Sequence, residues 1–250
     1  MANDRAGWLG QSVERVEDAA LLSGAGRYID DLGVRPGTLD AAILRSPHAH
    51  ADIVSIDAEA ARAHPGVIAV VTGADLAKIT ATLASSVRAP IDARPMAVDR
   101  VRYVGEPVAM VVAANRYIAE DAFDLIDVSY RQRPAVVDPV AALASDAPLL
   151  HDAAGSNLIS DRSFRYGDPD AAFAAAARPV TVTTRYPRNS GSPIETYGVI
   201  AEYDPHQDAY DVLTNFQGPF SLHSVAARAL KVPGNRLRLR IPRDSGGSFG

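Results

Sequence analysis

Between Thr38 and Tyr130, short β-prone apolar runs alternate with segments of helical period, and this alternation restricts the chain to a mixed α and β domain. Leu39 to Leu44 and Ile53 to Ile56 read as strands. Asp57 is placed to cap a short helical run, Ala58 to Ala63, which Pro65-Gly66 stops, and Val67 to Val71 follows as a buried strand. The result is a strand, helix, strand unit. Ile79 to Arg94 is weakly patterned. Pro107 to Ala113 is a continuous apolar strand, and Asn115 caps a helix that carries Ile118, Ala122, Leu125 and Ile126 on one face. Val128 to Tyr130 returns as a strand.

The flanking regions set the domain limits. Residues 1–20 have a weak apolar pattern and read as an arm lying on another surface. Arg133 to Asn157 carries Pro134, Pro139 and Pro148 without a sustained period, so the domain connection belongs there. The expected division is an arm over 1–20, a first domain over 21–133, a connecting segment over 134–160, and the beginning of a second domain over 161–250. In that second domain Val180 to Tyr186, Tyr197 to Tyr203 and Ala209 to Thr214 read as a strand meander, with the turn Asp204 to Asp208 joining the last two. Pro219 opens a helix whose stripe is Leu222, Val225, Ala226, Ala229 and Leu230, and Pro233-Gly234 ends it. Leu237 to Ile241 is a last strand, running into the loop Gly246 to Gly250.

Composition removes whole classes of function. The net charge of −5 and the lack of Lys/Arg clusters argue against nucleic acid, which needs cations gathered on one face. No apolar stretch approaches the roughly 20 residues of a membrane span, and the amino terminus lacks a secretion signal, so the cytoplasm is expected. With no cysteine, the chain can hold neither a disulfide nor an iron–sulfur cluster, and any electron relay must sit on another polypeptide.

The candidate chemistry is concentrated late in the chain. In Gly246-Gly247-Ser248-Phe249-Gly250 the glycines let backbone N–H groups approach an anionic or oxo ligand, although a plain turn after a strand has the same look. Gln217, between a strand and a helix, offers an amide that both donates and accepts; it is equally a turn residue. Glu195, at the start of a strand, is either a base or a solvated strand end. His48 and His50 share a face of an extended chain, but no third ligand lies near them in sequence, and no metal site is assigned. HExxH helices and GxGxxG turns are absent.

The order of short motifs carries more than any one of them. Arg15-Val-Glu-Asp18, Gly24-Ala-Gly-Arg-Tyr28, Leu44-Arg-Ser-Pro-His-Ala-His-Ala51, Val71-Thr-Gly-Ala-Asp-Leu76, Val101-Arg-Tyr-Val-Gly-Glu-Pro107, Pro193-Ile-Glu195, Gln217-Gly-Pro219 and the final glycine loop together resemble the front part of the molybdenum hydroxylase large subunit. The resemblance implies an α+β chain: an α/β hammerhead domain followed by the incomplete start of a mixed α/β molybdopterin-binding domain. It gives Gln217, Gly246, Gly247, Ser248, Phe249 and Gly250 a cofactor-binding role and places Glu195 near the cofactor. The cofactor implied is molybdenum-molybdopterin, in the cytosine dinucleotide form, shared with a further part of the subunit. An iron–sulfur small subunit and an FAD medium subunit are the implied partners. The family's catalytic glutamate matches no residue here, so the isolated chain is expected to be inactive. Two departures are Ser248, where glycine is usual, and Arg188 to Ser192, which lacks the common histidine or alanine. The implied activity is oxidation of an N-heterocycle, an aldehyde or carbon monoxide with water as oxygen source. The alternatives are a non-catalytic scaffold or assembly subunit of a split large subunit, or an inactive fragment.

Overall fold

The computed structural model describes residues 8, 10–83, 90–91, 93–187, 189–247 and 249. In chain order the elements are α1 (Asp18–Leu22), β1 (Asp40–Arg45), β2 (Ala51–Asp57), α2 (Glu59–Ala63), β3 (Val67–Thr72), α3 (Gly73–Ile79), β4 (Arg100–Val101), β5 (Pro107–Ala113), α4 (Arg116–Phe123) and β6 (Asp127–Gln132). There follow α5 (Pro169–Ala175), β7 (Val199–Asp204), β8 (Ala209–Thr214), α6 (Pro219–Ala229) and β9 (Leu237–Arg240). They fall into two units: a larger one of Arg35–Asn189 with Ser221–Asn235, and a smaller one of the described residues of Met1–Val34, Ser190–Phe220 and Arg236–Gly250. None of the described helices is long and apolar enough to cross a membrane.

The larger unit holds two antiparallel three-stranded sheets, ordered β1-β5-β3 and β4-β2-β6. Strand β5 is central in the first, and its Val108, Ala109, Val111 and Ala113 are all fully buried, which explains the uninterrupted apolar run in its sequence. Its Pro107 stands at the first position, where a missing N–H is tolerated. Helices α2 and α4 pack on this core through alanines, Ala61, Ala119 and Ala122, whose small side chains permit close approach. A second cluster, Ala51, Ala97, Val101 and Val108, fills the space next to β2.

The strand, helix, strand units read from the sequence are present, but their strands part company. β2 and β3 belong to different sheets, as do β5 and β6, so α2 and α4 join two antiparallel sheets and are not crossovers within a parallel one. The α2 helix begins a residue later than expected, with Ala58 at its N-cap position, while Asp57 Oδ1 still accepts the Glu59 N–H at 3.0 Å. Asn115 caps α4 as expected, accepting the Ile118 N–H at 3.0 Å. The helix stops at Phe123, however, so Leu125 and Ile126 are not part of its face, although Ile126 is buried in the core.

Three helices were not anticipated. α1 starts in the stretch read as an arm and ends past it, at Leu22. α5 is capped by Asp168, whose Oδ1 accepts the Ala171 N–H at 3.1 Å. α3 is started by a reciprocal cap, in which Thr72 Oγ1 accepts the Asp75 N–H and the Asp75 carboxylate accepts the Thr72 N–H, both at 3.3 Å. The Ala97 carbonyl oxygen lies 1.8 Å from where a Cβ on Gly73 would stand, so this helix start accepts only glycine. Conversely, Val180 to Tyr186 forms no strand, and Val180, Val182 and Tyr186 are exposed. β-branched sequence without a neighbouring strand has no ladder in which to satisfy its backbone.

One carboxylate fastens the second sheet. Asp52 Oδ1 accepts from Arg100 Nε at 3.0 Å and Arg133 Nε at 2.7 Å, and Oδ2 accepts from Arg131 Nη2 at 2.8 Å. Arg100 reaches on to Asp152 at 2.9 Å. These bonds tie β4 and β6 to the strand between them. The hydrogen bonds from Arg131 and Arg133 hold the Asp52 carboxyl well below the usual carboxylate range.

In the smaller unit β7 and β8 form an antiparallel hairpin, and β9 lies parallel to β8, with β8 in the middle. This replaces the expected meander. With no strand at Val180 to Tyr186, the third place is taken by β9, and a helical connection lets it run in the direction of β8. Just past β8, the buried Asn215 accepts the Gly198 N–H through Oδ1 at 3.0 Å and donates through Nδ2 to the Thr196 carbonyl at 2.8 Å. It holds the segment that enters β7.

Two outcomes follow. Because the folded-state pKa of Asp52 is depressed, its stabilisation is complete above the ordinary aspartate pKa of about 3.9 and is lost as the pH falls below it. Asp52→Asn is therefore expected to lower stability at neutral pH and to flatten the loss on acidification, as read by denaturant unfolding at a series of pH values. Asn215→Ala leaves a buried N–H and a carbonyl without partners and is expected to destabilise by about 1–3 kcal/mol, measured in the same way.

Candidate functional site

Four of the residues marked by the sequence, Glu195, Gly246, Gly247 and Phe249, meet past the end of β9, where contacts too close for any Cβ on the glycines determine the arrangement. Past β9, Pro242 is buried, and Asp244 pairs with the N-terminal segment. The Arg27 N–H donates to Asp244 Oδ2 at 2.6 Å, the Asp244 N–H donates to the Arg27 carbonyl at 3.2 Å, and Arg243 Nη2 donates to the Ala25 carbonyl at 2.6 Å. The Arg27 amide, with Arg243 beside it, holds the Asp244 carboxyl below its ordinary range. The loop that follows is thus anchored before its first glycine.

Glu195 receives the loop. Its Oε2 accepts the Gly246 N–H at 2.7 Å and its Oε1 accepts the Ile29 N–H at 3.1 Å. Neither reading of this carboxylate from sequence, as base or as solvated strand end, describes what it does here: each oxygen takes an amide from a different part of the chain. A Cβ on Gly246 would lie 2.2 Å from Glu195 Cβ, and one on Gly247, whose φ is +153°, would lie 2.5 Å from Pro193 Cβ. Gly191 is pressed in the same way against Phe249, at 2.4 Å. Ser245 Oγ closes the turn by donating to the Gly247 carbonyl at 3.2 Å. Ile29, buried, lies against Gly198, whose Cβ would stand 2.9 Å from Ile29 Cδ1.

The structure therefore brings together Glu195, Gly246, Gly247 and Phe249. Ser248 and Gly250 lie outside the described residues. Gln217 is exposed in the link from β8 to α6, two residues beyond the buried Asn215. Four residues with structural parts here escaped the sequence reading: Arg27, Ile29, Asn215 and Asp244. Arg27 and Asp244 are 217 positions apart, and Ile29 and Glu195 are 166 apart, so no local pattern links them. Chemically, the site offers closely spaced backbone donors on a loop stiffened from behind and a carboxylate already engaged.

His48 and His50 belong to the packing of the larger unit. The His48 ring stands edge-on to Tyr130 at a centroid separation of 4.8 Å, and His50 Nδ1 donates to the Pro134 carbonyl at 2.9 Å. Among the described residues no group of three or more His, Cys, Asp or Glu side chains is arranged to hold a metal ion.

Comparison with known proteins bears on both parts of the chain. Residues 23–134 match the aldehyde oxidase and xanthine dehydrogenase a/b hammerhead domain, and residues 150–250 match the molybdopterin cofactor-binding domain. The carbon monoxide dehydrogenase large chain of Afipia carboxidovorans is 36% identical over 97% of this chain and 31% of its own length. The nicotine 6-hydroxylase large subunit of Paenarthrobacter nicotinovorans is 36% identical over 97% of this chain and 30% of its own. The crystal structure of quinoline 2-oxidoreductase from Pseudomonas putida 86 superimposes with a TM-score of 0.84 at 39% identity, covering 96% of this chain and 31% of that one. The chain thus spans less than a third of the length of these relatives. Its α+β architecture is that of a hammerhead domain followed by the start of a molybdopterin-binding domain. The chain belongs to the molybdenum hydroxylase family and matches the N-terminal part of its large, molybdopterin-binding subunit.

Proposed function

We propose that this chain is a component of a molybdenum-dependent hydroxylase or dehydrogenase that oxidises a small substrate, an N-heterocycle, an aldehyde or carbon monoxide, with water as the oxygen source. The observation that carries the reading is the glycine loop after β9, held by Glu195 and lying within the stretch that matches a molybdopterin cofactor-binding domain. The residues present fit such a group. The loop is a run of glycines braced from behind by Pro193 and Glu195, so its open side carries backbone donors of the kind that receive oxo and phosphate oxygens. Gln217 would offer its amide to an oxo group, and Gly246, Gly247, Ser248, Phe249 and Gly250 would hold the cofactor through their backbone. Glu195 stands next to it. When bound, the molybdenum centre supplies the two-electron oxidation of the substrate carbon.

The chain's own residues supply only part of a site. Ile194, fully exposed, and Phe249, 70% exposed, put apolar side chains into solvent next to the loop, which suits a surface that further polypeptide covers. The domain limits proposed are 21–133 for the hammerhead domain, 134–160 for the connection and 161–250 for the beginning of the cofactor domain, after an arm over 1–20. The cofactor proposed is the cytosine dinucleotide form. The partners proposed are the remainder of the large subunit, an iron–sulfur small subunit and an FAD medium subunit, and a chain without cysteine suits the placing of iron–sulfur clusters elsewhere. The cytoplasm is the proposed location. The alternative reading, a non-catalytic scaffold, requires no cofactor.

The test is to express the complete large subunit with its partner subunits in a host that makes molybdopterin, and to assay metal, pterin and the oxygen source. Equimolar molybdenum and pterin, with label from isotopic water in the oxidised product, is the expected result. An intact, assembled complex free of both molybdenum and pterin would refute the proposal and leave the scaffold.

A further inference from the structure

We propose that Glu195 is a positioning residue for the glycine loop, and that the segment from Ala25 to Ile29 is a strap that fixes the loop through it. This rests on the reading of the loop as facing a cofactor. The argument begins with the two oxygens. Oε2 takes the Gly246 N–H at 2.7 Å and Oε1 takes the Ile29 N–H at 3.1 Å, so one carboxylate fixes the loop and the strap in a single geometry. Hydrogen bonds to an ionised acceptor are about twice as strong as neutral ones. The strap is held independently at the other end by the Arg27 N–H on the Asp244 carboxylate, by the Asp244 N–H on the Arg27 carbonyl and by Arg243 on the Ala25 carbonyl.

This geometry divides the loop's amides by task. The Gly246 N–H is spent on Glu195, so donors toward a ligand begin after it, at Gly247 and Phe249 among the described residues. Gly246 is glycine because Glu195 Cβ occupies the place of its side chain at 2.2 Å, and Gly247 because Pro193 Cβ does the same at 2.5 Å. The bare backbone that a ligand would meet is therefore set in place from the opposite side. Glu195 acts on a bound group only through the loop. The strap residues lie in the stretch that matches the hammerhead domain, yet they fall in the smaller unit with the loop they fix.

The test compares the wild-type complete large subunit with Glu195→Gln and Glu195→Ala, each prepared assembled with its partners and also cofactor-free from a host unable to make molybdopterin. Hydrogen–deuterium exchange is followed in the cofactor-free protein for peptides covering 25–33, 243–250 and, as a control for global stability, 107–113. In Glu195→Ala the strap and loop peptides are expected to exchange about tenfold faster, the loss of a charged hydrogen bond, while the β5 peptide is unchanged. Glu195→Gln keeps one acceptor oxygen and falls between. Pterin content of the assembled enzyme follows the same order. Unchanged loop exchange in Glu195→Ala, or a rise of equal size in the β5 peptide, would overturn the positioning role. If wild-type enzyme carries no pterin while the loop still loosens selectively in Glu195→Ala, the positioning role stands and the cofactor reading falls.

Discussion

A carboxylate that accepts hydrogen bonds from remote parts of the chain is the interaction on which both units depend. In the smaller unit Glu195 gathers Ile29 and Gly246; in the larger, Asp52 gathers Arg100, Arg131 and Arg133. An ionised carboxylate suits this task because it only accepts, has about four lone-pair directions, and binds N–H donors more strongly than a neutral oxygen does. The two cases differ in donor. Arginine side chains tie strand to strand around Asp52, whereas backbone amides meet Glu195, and an amide fixes the chain itself where a long side chain leaves it room to move.

The glycines of the final loop take a different meaning from this arrangement. Closely spaced glycines at a ligand site are ordinarily explained by the approach of the ligand. Here the approach that excludes a Cβ is made by the protein, through Pro193 at Gly247 and Glu195 at Gly246. A loop built in this way has its shape set by the protein itself, which is the condition under which backbone dipoles favour an anionic or oxo group most. Under the proposed cofactor role, that preorganisation would serve the bound group.

What the sequence made legible was local. The burial of β5 follows from seven consecutive apolar residues, the start of α4 from Asn115, and the span of α6 from Pro219 and its apolar stripe. The helix α3 also had a local signal, Thr72 and Asp75 three positions apart, but the glycine between them and the preceding valines masked it. Val180 to Tyr186 shows the opposite error: propensity for strand is strong there, yet a strand exists only with a neighbour. The sheet partners of β2 and β3, and the parallel course of β9, depend on pairing that no periodicity encodes. Motif order singled out Glu195, Gly246, Gly247 and Phe249, which the fold brings together, whereas Ile29 and Asp244 were not legible, because their roles exist only after segments far apart in sequence have met.

That meeting has a bearing on synthesis at the ribosome. The buried clusters of the larger unit are composed of residues between Ala42 and Tyr130, so their members have all been made before Glu195 emerges. Ile29 is made before any of them, but its acceptor Glu195 is 166 residues away, a delay of about 10–30 s at ordinary elongation rates. Through that interval the apolar Ile29 lacks its partners Glu195 and Gly198, and the later-made segments must find it after the clusters of the larger unit are complete. The order of emergence from the ribosome thus makes the strap an early-made part of the smaller unit that is among the last to be secured.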